Sequence, residues 1–349
     1  SICAYCWRAE PSTVAAGTAL VATDRLHSGM AASAGAAALP SSRPVNRRRW
    51  ARQQEQGVTV EVWPAFMPAL WGVRNGPSTL GCMDKPIAFI GGGNMASALI
   101  GGLLRSGHAA AGITVVEPFE AQRSKLLQSF GVQAQAAPDG RLAEAATVVW
   151  AVKPQLFAEA AAPCQAYIGS ALQVSVMAGV RSDAIVAASG SVRVVRAMPN
   201  TPALIGQGIA GLFARPAVDA AARADVEALF KPTGQTLWVA QEDDLDAVTA
   251  LSGSGPAYVF YFLEAMVQAA AEMGLTPEQG RLLAQATFGG AAALAQQSPL
   301  SPTALREQVT SKGGTTHAAI TTLDAQGVKA AFVKALHAAR NRAQELGRS

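Results

Sequence analysis

Cysteine is scarce in this chain: of four, Cys3, Cys6 and Cys82 fall in the first 82 positions and only Cys164 lies beyond them. No disulfide can therefore form within the later part, which fits a reducing compartment and excludes small secreted folds that depend on such staples. Cys3 and Cys6 have the Cys-x-x-Cys spacing, but no second pair or histidine cluster accompanies them, so no metal site is expected. No apolar run approaches the roughly 20 residues that a bilayer-spanning helix requires, and no membrane partner is expected. Aromatic residues make up only 6% of the chain, so the cores must be built mainly from alanine, valine and leucine. The formal net charge of +4 is confined to one end: residues 1–82 hold eight arginines and four acids, and the rest holds twenty basic and twenty acidic side chains. A balanced body gives no electrostatic case for nucleic acid or an anionic surface.

Residues 1–82 differ in kind from the rest of the chain. They carry four of the six tryptophans, Ala/Ser/Pro-rich tracts and Arg47-Arg48-Arg49, with no sustained helical or strand period. We read them as a leader that is disordered or non-native; an Arg-rich, Ser-bearing stretch also has the composition of an organelle transit peptide. Met83-Asp84-Lys85-Pro86 stands directly before the first strand pattern, where a native start would sit. The remainder is long enough for two domains with sizeable cores.

Ile87-Ala88-Phe89-Ile90 is a short apolar run suited to a buried parallel strand, and it leads into Gly91-Gly92-Gly93-Asn94-Met95-Ala96 and a helical pattern through about Leu104. This is G-x-G-x-x-A between a strand and a helix, the context in which the motif binds a dinucleotide. Gly91 permits the tight turn, Gly93 lets a pyrophosphate approach the backbone, and Ala96 allows close helix packing; Asn94 and Met95 open the helix that faces the phosphates. The next strand pattern, Ile113–Val116, ends at Glu117, where an acid ordinarily holds the adenosine ribose and favours NAD(H). Gln122, Arg123 and Lys125 follow, offering either a 2′-phosphate site or a solvated helix start, so the residues leave the cofactor choice open.

Thr147–Val152 reads as another buried strand, ended by Lys153-Pro154 at the sheet edge where open α/β folds bind ligands. Strand patterns at Leu172–Val176 and Val192–Ala197 come next, and the second runs into Met198-Pro199-Asn200-Thr201-Pro202. Two prolines make this a stiff loop, suited to placing Asn200 and Thr201 beside a nicotinamide ring. Ile209–Phe213, a helix near Val218–Phe230 and Gln235–Val239 complete a Rossmann-type doubly wound sheet, giving an α/β domain over 83–240. An all-α domain follows over 241–349, with helical patterns at 255–273, 276–296, 302–310, 314–325 and 327–346. Its apolar faces exceed what one small bundle can hide, which predicts a homodimer.

Within the helical part, Val309-Thr310-Ser311-Lys312-Gly313-Gly314-Thr315-Thr316 sets two glycines and several hydroxyls at a helix start. Unpaired N–H groups and the macrodipole there attract a carboxylate, with Gly314, Thr315 and Thr316 as expected donors, although the same residues also serve as a plain cap. The fingerprint, the Met198–Pro202 loop, Ser252-Gly253-Ser254-Gly255-Pro256-Ala257-Tyr258 and this segment, in that order, resemble the pyrroline-5-carboxylate reductase family from about Met83 to the C-terminus.

The resemblance implies a cytoplasmic oxidoreductase, dimeric or larger, that carries hydride from NAD(P)H to the cyclic imine pyrroline-5-carboxylate and makes L-proline. It implies Ala151, Val152, Lys153, Pro199, Asn200 and Thr201 as cofactor neighbours. It assigns the substrate carboxylate to main-chain groups of Val309, Ser311, Gly313, Gly314 and Thr315, and gives Thr316 the catalytic contact to the imine nitrogen. NADP(H) is the expected cofactor, with NAD(H) as the alternative. Lys312 stands where many members have proline, and Gln296-Gln297-Ser298-Pro299 lacks an acid that some members carry. A hydroxyacid-type dehydrogenase is the nearest alternative, but Ser252–Gly274 contains no lysine or histidine to act as its base. A non-catalytic NADP-binding module is the other. A chain beginning at Met83 is expected to retain full cofactor affinity and turnover; loss of its circular dichroism signature would show that residues 1–82 are needed for folding.

Overall fold

The computed structural model describes residues 85–348, and the expectations for residues 1–82 lie outside them. Eight strands form one sheet: β1 (Ile87–Ile90), β2 (Ile113–Val116), β3 (Ala134–Gln135), β4 (Thr147–Trp150), β5 (Leu172–Ser175), β6 (Val194–Met198), β7 (Gly208–Ala214) and β8 (Gly234–Trp238). Their order is β3-β2-β1-β4-β5-β6-β7-β8. The first six run parallel in the 3-2-1-4-5-6 order of dinucleotide-binding sheets; β7 then reverses against β6, and β8 follows β7 in parallel.

Helices α1 (Asn94–Arg105), α2 (Glu120–Phe130), α3 (Phe157–Ala161), α4 (Gln165–Ile168), α5 (Ser182–Ser189) and α6 (Ala220–Phe230) belong to this sheet. Because successive strand residues face opposite sides, covering both faces demands near-continuous apolar strands. Phe89, Val115, Val149 and Leu212 pack with Leu99, Ile100 and Phe230 on one face, and Ala88, Ile90, Val148 and Trp150 pack with Phe157, Ile168 and Ile185 on the other. Gln173 on β5 is polar, fully buried and fully used: its oxygen accepts the Trp150 indole N–H at 2.9 Å, and its NH2 donates to the carbonyls of Ile168 and Ala171.

The helical part comprises α7 (Asp244–Val248), a π-helical turn at Thr249–Gly253, α8 (Gly255–Glu272), α9 (Pro277–Gln297), α10 (Pro302–Gln308), α11 (Thr315–Ala325) and α12 (Val328–Arg348). Helices α8 and α9 lie side by side, brought close where Gly280 faces Ala270; a Cβ at Gly280 would come within 2.8 Å of the Ala270 methyl. A Thr276 capping box sets the start of α9. Much apolar surface stays open on these helices: Phe260, Tyr261, Leu282 and Leu294 are 58%, 69%, 69% and 60% exposed.

The two parts are joined by a buried ion pair. Glu242, just before α7, accepts hydrogen bonds from the Ser182 N–H and hydroxyl, each at 2.7 Å, and from Arg196 on β6 at 2.8 Å. Burial pushes the Glu242 carboxyl upward, but the Ser182 and Arg196 hydrogen bonds outweigh it and hold the group below its ordinary value. Its contribution to stability is therefore present above the unfolded-state pKa and is lost as pH falls through the lower folded value. Glu242→Gln is expected to destabilise the protein by about 3 kcal/mol near neutral pH, because Arg196 is left buried without its charge partner. Urea unfolding at neutral and acidic pH should show the gap between variant and parent narrowing on the acid side.

Candidate active site

The fingerprint turn is shaped by contact with the end of β4. Gly91 has φ +95°, and a Cβ there would lie 2.7 Å from the Ala151 carbonyl oxygen and 3.0 Å from a Val152 methyl, so only glycine fits. Ala151 and Val152 are thereby brought against the loop, with the Ala151 N–H donating to Ile90 at 2.8 Å. Gly93 meets no such contact. Its φ of −66° suits any residue, and nothing in the protein lies within 4 Å of a Cβ built there. It caps α1 without a side-chain acceptor, which leaves the first-turn N–H groups, starting at Asn94 and Met95, to an anion. Ala96 is wholly buried in the core. The loop is thus a cradle that fits a pyrophosphate.

Gly92, the variable position of the motif, is as constrained as its neighbours. A Cβ there would come within 2.7 Å of a Leu126 methyl on α2. Its N–H donates to Glu117 Oε2 at 2.8 Å, and its carbonyl accepts from the Gln122 side chain and, at 3.4 Å, from the Ser97 hydroxyl. The Glu117 carboxylate is turned inward at 6% residue exposure, with Oε1 accepting the Phe119 N–H at 2.9 Å. Arg123 donates to the Glu117 and Pro118 carbonyls at 3.0 and 2.6 Å, while Lys125 is exposed.

At the neighbouring strand ends, Lys153 is exposed and Pro199 is buried. Asn200 Oδ1 accepts the Ile209 N–H at 3.0 Å, closing the 201–208 segment back onto β7. The carboxamide NH2 is left as the donor for a ligand. Thr201 is exposed at the start of a 3-10 turn that packs against α1. Asn200 and Pro202 also line an apolar cleft of about 660 Å³, whose other wall carries Ser252, Gly255, Pro256 and Tyr258. The end of the π-helical turn and the first turn of α8 supply that wall: a Cβ at Gly253 would lie 2.7 Å from the Met198 methyl, and the Tyr258 hydroxyl donates to the Ala250 carbonyl at 3.1 Å. π-Helical turns concentrate at functional sites. Sequence pattern marks Ser252–Tyr258 as a motif but not the turn that begins just before it, because one widened turn leaves no trace on helical periodicity.

The 309–316 segment forms the tight entry to α11. Gly313 adopts φ +75°, and a Cβ at Gly314 would strike the Ser311 hydroxyl at 2.6 Å. The Gly314 N–H, expected as a donor to a ligand, is instead spent on the Ser311 carbonyl at 3.0 Å, because the turn at Gly313 folds it back. The first intrahelical bond runs from Ala318 to Gly314 at 3.1 Å, so the N–H groups of Thr315, Thr316 and His317 precede the ladder. Val309 is 65% exposed, Ser311 and Lys312 are exposed, and Thr316 is partly covered. Among the described residues no hydrogen bond or ion pair joins this loop to the fingerprint or to the 198–202 loop of the same chain.

A doubly wound sheet carrying a glycine cradle, a polar loop at the next strand ends and a helical partner domain defines a nicotinamide-dinucleotide oxidoreductase. Comparison with known proteins narrows this. The family model for pyrroline-5-carboxylate reductase dimerisation matches residues 242–346, and that for NADP oxidoreductase, coenzyme F420-dependent, matches residues 86–179. The pyrroline-5-carboxylate reductase of Haemophilus influenzae is 42% identical over 265 residues, covering 75% of this chain and 97% of the relative. That of Pseudomonas aeruginosa is 43% identical over 271 residues, covering 76% and 98%. Among solved structures, the Coxiella burnetii pyrroline-5-carboxylate reductase gives a TM-score of 0.71 at 37% identity over 76% of this chain and 100% of that one. The Plasmodium falciparum pyrroline carboxylate reductase with NADP bound gives 0.69 at 25% identity, over 76% and 100%. The chain belongs to the pyrroline-5-carboxylate reductase family.

The two outer glycines of the fingerprint should separate by experiment. Gly93→Ala is expected to leave thermal unfolding unchanged while weakening NADPH binding by at least about tenfold. Gly91→Ala should lower both, since its methyl collides with backbone rather than with a ligand.

Proposed function

We propose that the protein reduces pyrroline-5-carboxylate to L-proline, with NADP(H) as its cofactor and NAD(H) as a usable alternative. The observation that carries this reading is a family match over nearly the whole length of its relatives, joined to a glycine-threonine helix start with ligand-ready N–H groups at Thr315 and Thr316. The fingerprint from Gly91 to Ala96, with Ala151, Val152 and Lys153, holds the dinucleotide. Pro199, Asn200 and Thr201 would face its nicotinamide, which would supply the hydride when bound.

The chain's own part is mostly placement. The start of α11 binds the substrate carboxylate through its N–H groups and positive dipole end, with Val309, Ser311 and Gly313 shaping the entry. Gly314 contributes clearance beside Ser311 rather than a donor. The Thr316 hydroxyl holds the imine nitrogen and its proton. Rate enhancement then comes from orientation and fixed dipoles rather than from a strong acid or base.

The site is completed by a second copy. Among the described residues the 309–316 loop has no bonded partner at the cofactor end of its own chain, and the open faces around Phe260, Tyr261 and Leu282 supply the apolar surface that a homodimer buries. We take residues 83–240 as the cofactor domain and 241–349 as the dimerisation and substrate domain, working in the cytoplasm. Among the described residues no helix is long and apolar enough to cross a membrane.

The test is oxidation of NADPH, and separately NADH, by purified protein given pyrroline-5-carboxylate, with proline identified as product. Dinucleotide binding without turnover would instead identify a silent binding module. Thr316→Ala is expected to lower turnover on the order of 100-fold while leaving cofactor affinity unchanged; equal loss of both would remove its assigned role.

A further inference from the structure

We infer that Glu117 is a positioning residue of the phosphate loop and not a ligand of the adenosine ribose, so that the acid ending β2 sets no preference for NAD(H). This rests on the dinucleotide reading of the fingerprint and concerns how that same site selects its cofactor.

An acid that grips ribose hydroxyls must present its oxygens outward at the carboxyl edge of the sheet. Here both are taken from within. Oε2 accepts the Gly92 N–H at 2.8 Å and Oε1 accepts the Phe119 N–H at 2.9 Å, in a residue only 6% exposed. Bonds from N–H groups to an ionised carboxylate are among the stronger ones, so this arrangement resists turning outward. The next peptide unit, on the other side of the Gly92 α-carbon, is held as well, because the Gln122 carboxamide donates to the Gly92 carbonyl. Leu126 closes the space beside the Gly92 α-carbon. The corner between β2 and α2 therefore grips Gly92 by its N–H, its carbonyl and its bare α-carbon.

The corner is itself tied down. Helix α2 has no side-chain cap of its own, and the Phe119 N–H at its entry is satisfied by Glu117. Arg123 bonds the carbonyls of Glu117 and Pro118. The carboxylate's charge is thus directed onto two backbone dipoles inside the protein, while the cations of the corner, Arg123 and Lys125, lie nearer the solvent side. A 2′-phosphate meets those cations rather than an exposed carboxylate. Discrimination between the two dinucleotides then falls to Arg123 and Lys125.

The experiment compares the full chain with Glu117→Gln and Gln122→Ala. It measures equilibrium binding of NADPH and NADH, steady-state KM and kcat, and hydrogen exchange at the Gly92 amide in cofactor-free protein. A positioning role predicts that Glu117→Gln weakens both dinucleotides by a similar factor, about tenfold, with the loss in KM and Kd rather than kcat and with faster exchange at Gly92. Gln122→Ala, which removes a contact to the same glycine from a partly exposed side, should move both cofactors together by a smaller factor. Should Glu117→Gln fail to fold, that second variant carries the test. Selective loss of NADH with NADPH unchanged or improved, and Gly92 exchange unaltered, would overturn the inference and make Glu117 a ribose ligand. If the unmodified protein binds neither dinucleotide, the fingerprint reading falls first, and that failure is visible without any variant.

Discussion

The site depends on one close approach of backbone to backbone, where the turn after β1 crosses the end of β4. At Gly91 a single added carbon would lie 2.7 Å from the Ala151 carbonyl oxygen, closer than side chains are tolerated. Because β1 and β4 are adjacent in the sheet, this crossing fixes the height of the phosphate loop over the strand ends. It also directs α1 along one face of the sheet, where Leu99 and Ile100 enter the core. The loop is then finished from the other neighbour, β2, through Glu117 and α2. A cradle built between two flanking strands is stiff before any ligand arrives, and stiffness at the phosphates is what lets weak contacts elsewhere orient a reacting ring.

Much of this was legible in the residues themselves. The strands at Ile87–Ile90 and Ile113–Val116 announce themselves as short apolar runs because both of their faces are covered. The Met198–Pro202 loop is marked by its prolines, and the α9 and α12 patterns are long enough for a helical period to show. Other parts left no comparable mark. β3 is two residues long, and α2 buries only Leu126, so neither produces a period. The part played by Gly92 is invisible in a motif that leaves its position variable, and it emerges only when Leu126, Glu117 and Gln122 are placed around it.

The donor assignment at Gly314 shows a related limit. Helix starts expose N–H groups in general, but which of them remain available depends on the turn that precedes the helix. At Gly313 the left-handed turn folds the next N–H back onto Ser311. A pair of glycines therefore gives one residue for direction and one for clearance, and the donors begin a residue later than the pattern implies.

The reversal of β7 has a mechanical consequence. Since β8 runs with β7, the chain leaves the sheet at the edge opposite the phosphate loop and must travel back across it. Along that path it is pinned by Glu242 to Arg196, by Val248 against Gly211 and by Gly253 against Met198, and the end of α12 presses the Leu346 backbone onto Gly179. A connection fastened at one point can pivot, but one fastened at three points along its length, with the last helix fastened as well, behaves as a rigid bracket. Enzymes that clamp their ligands by swinging one domain against another need a free pivot between them. Here the bracket stands in place of such a pivot, so the site proposed above would be matched by the way whole subunits fit together rather than by a cycle of opening and closing within one.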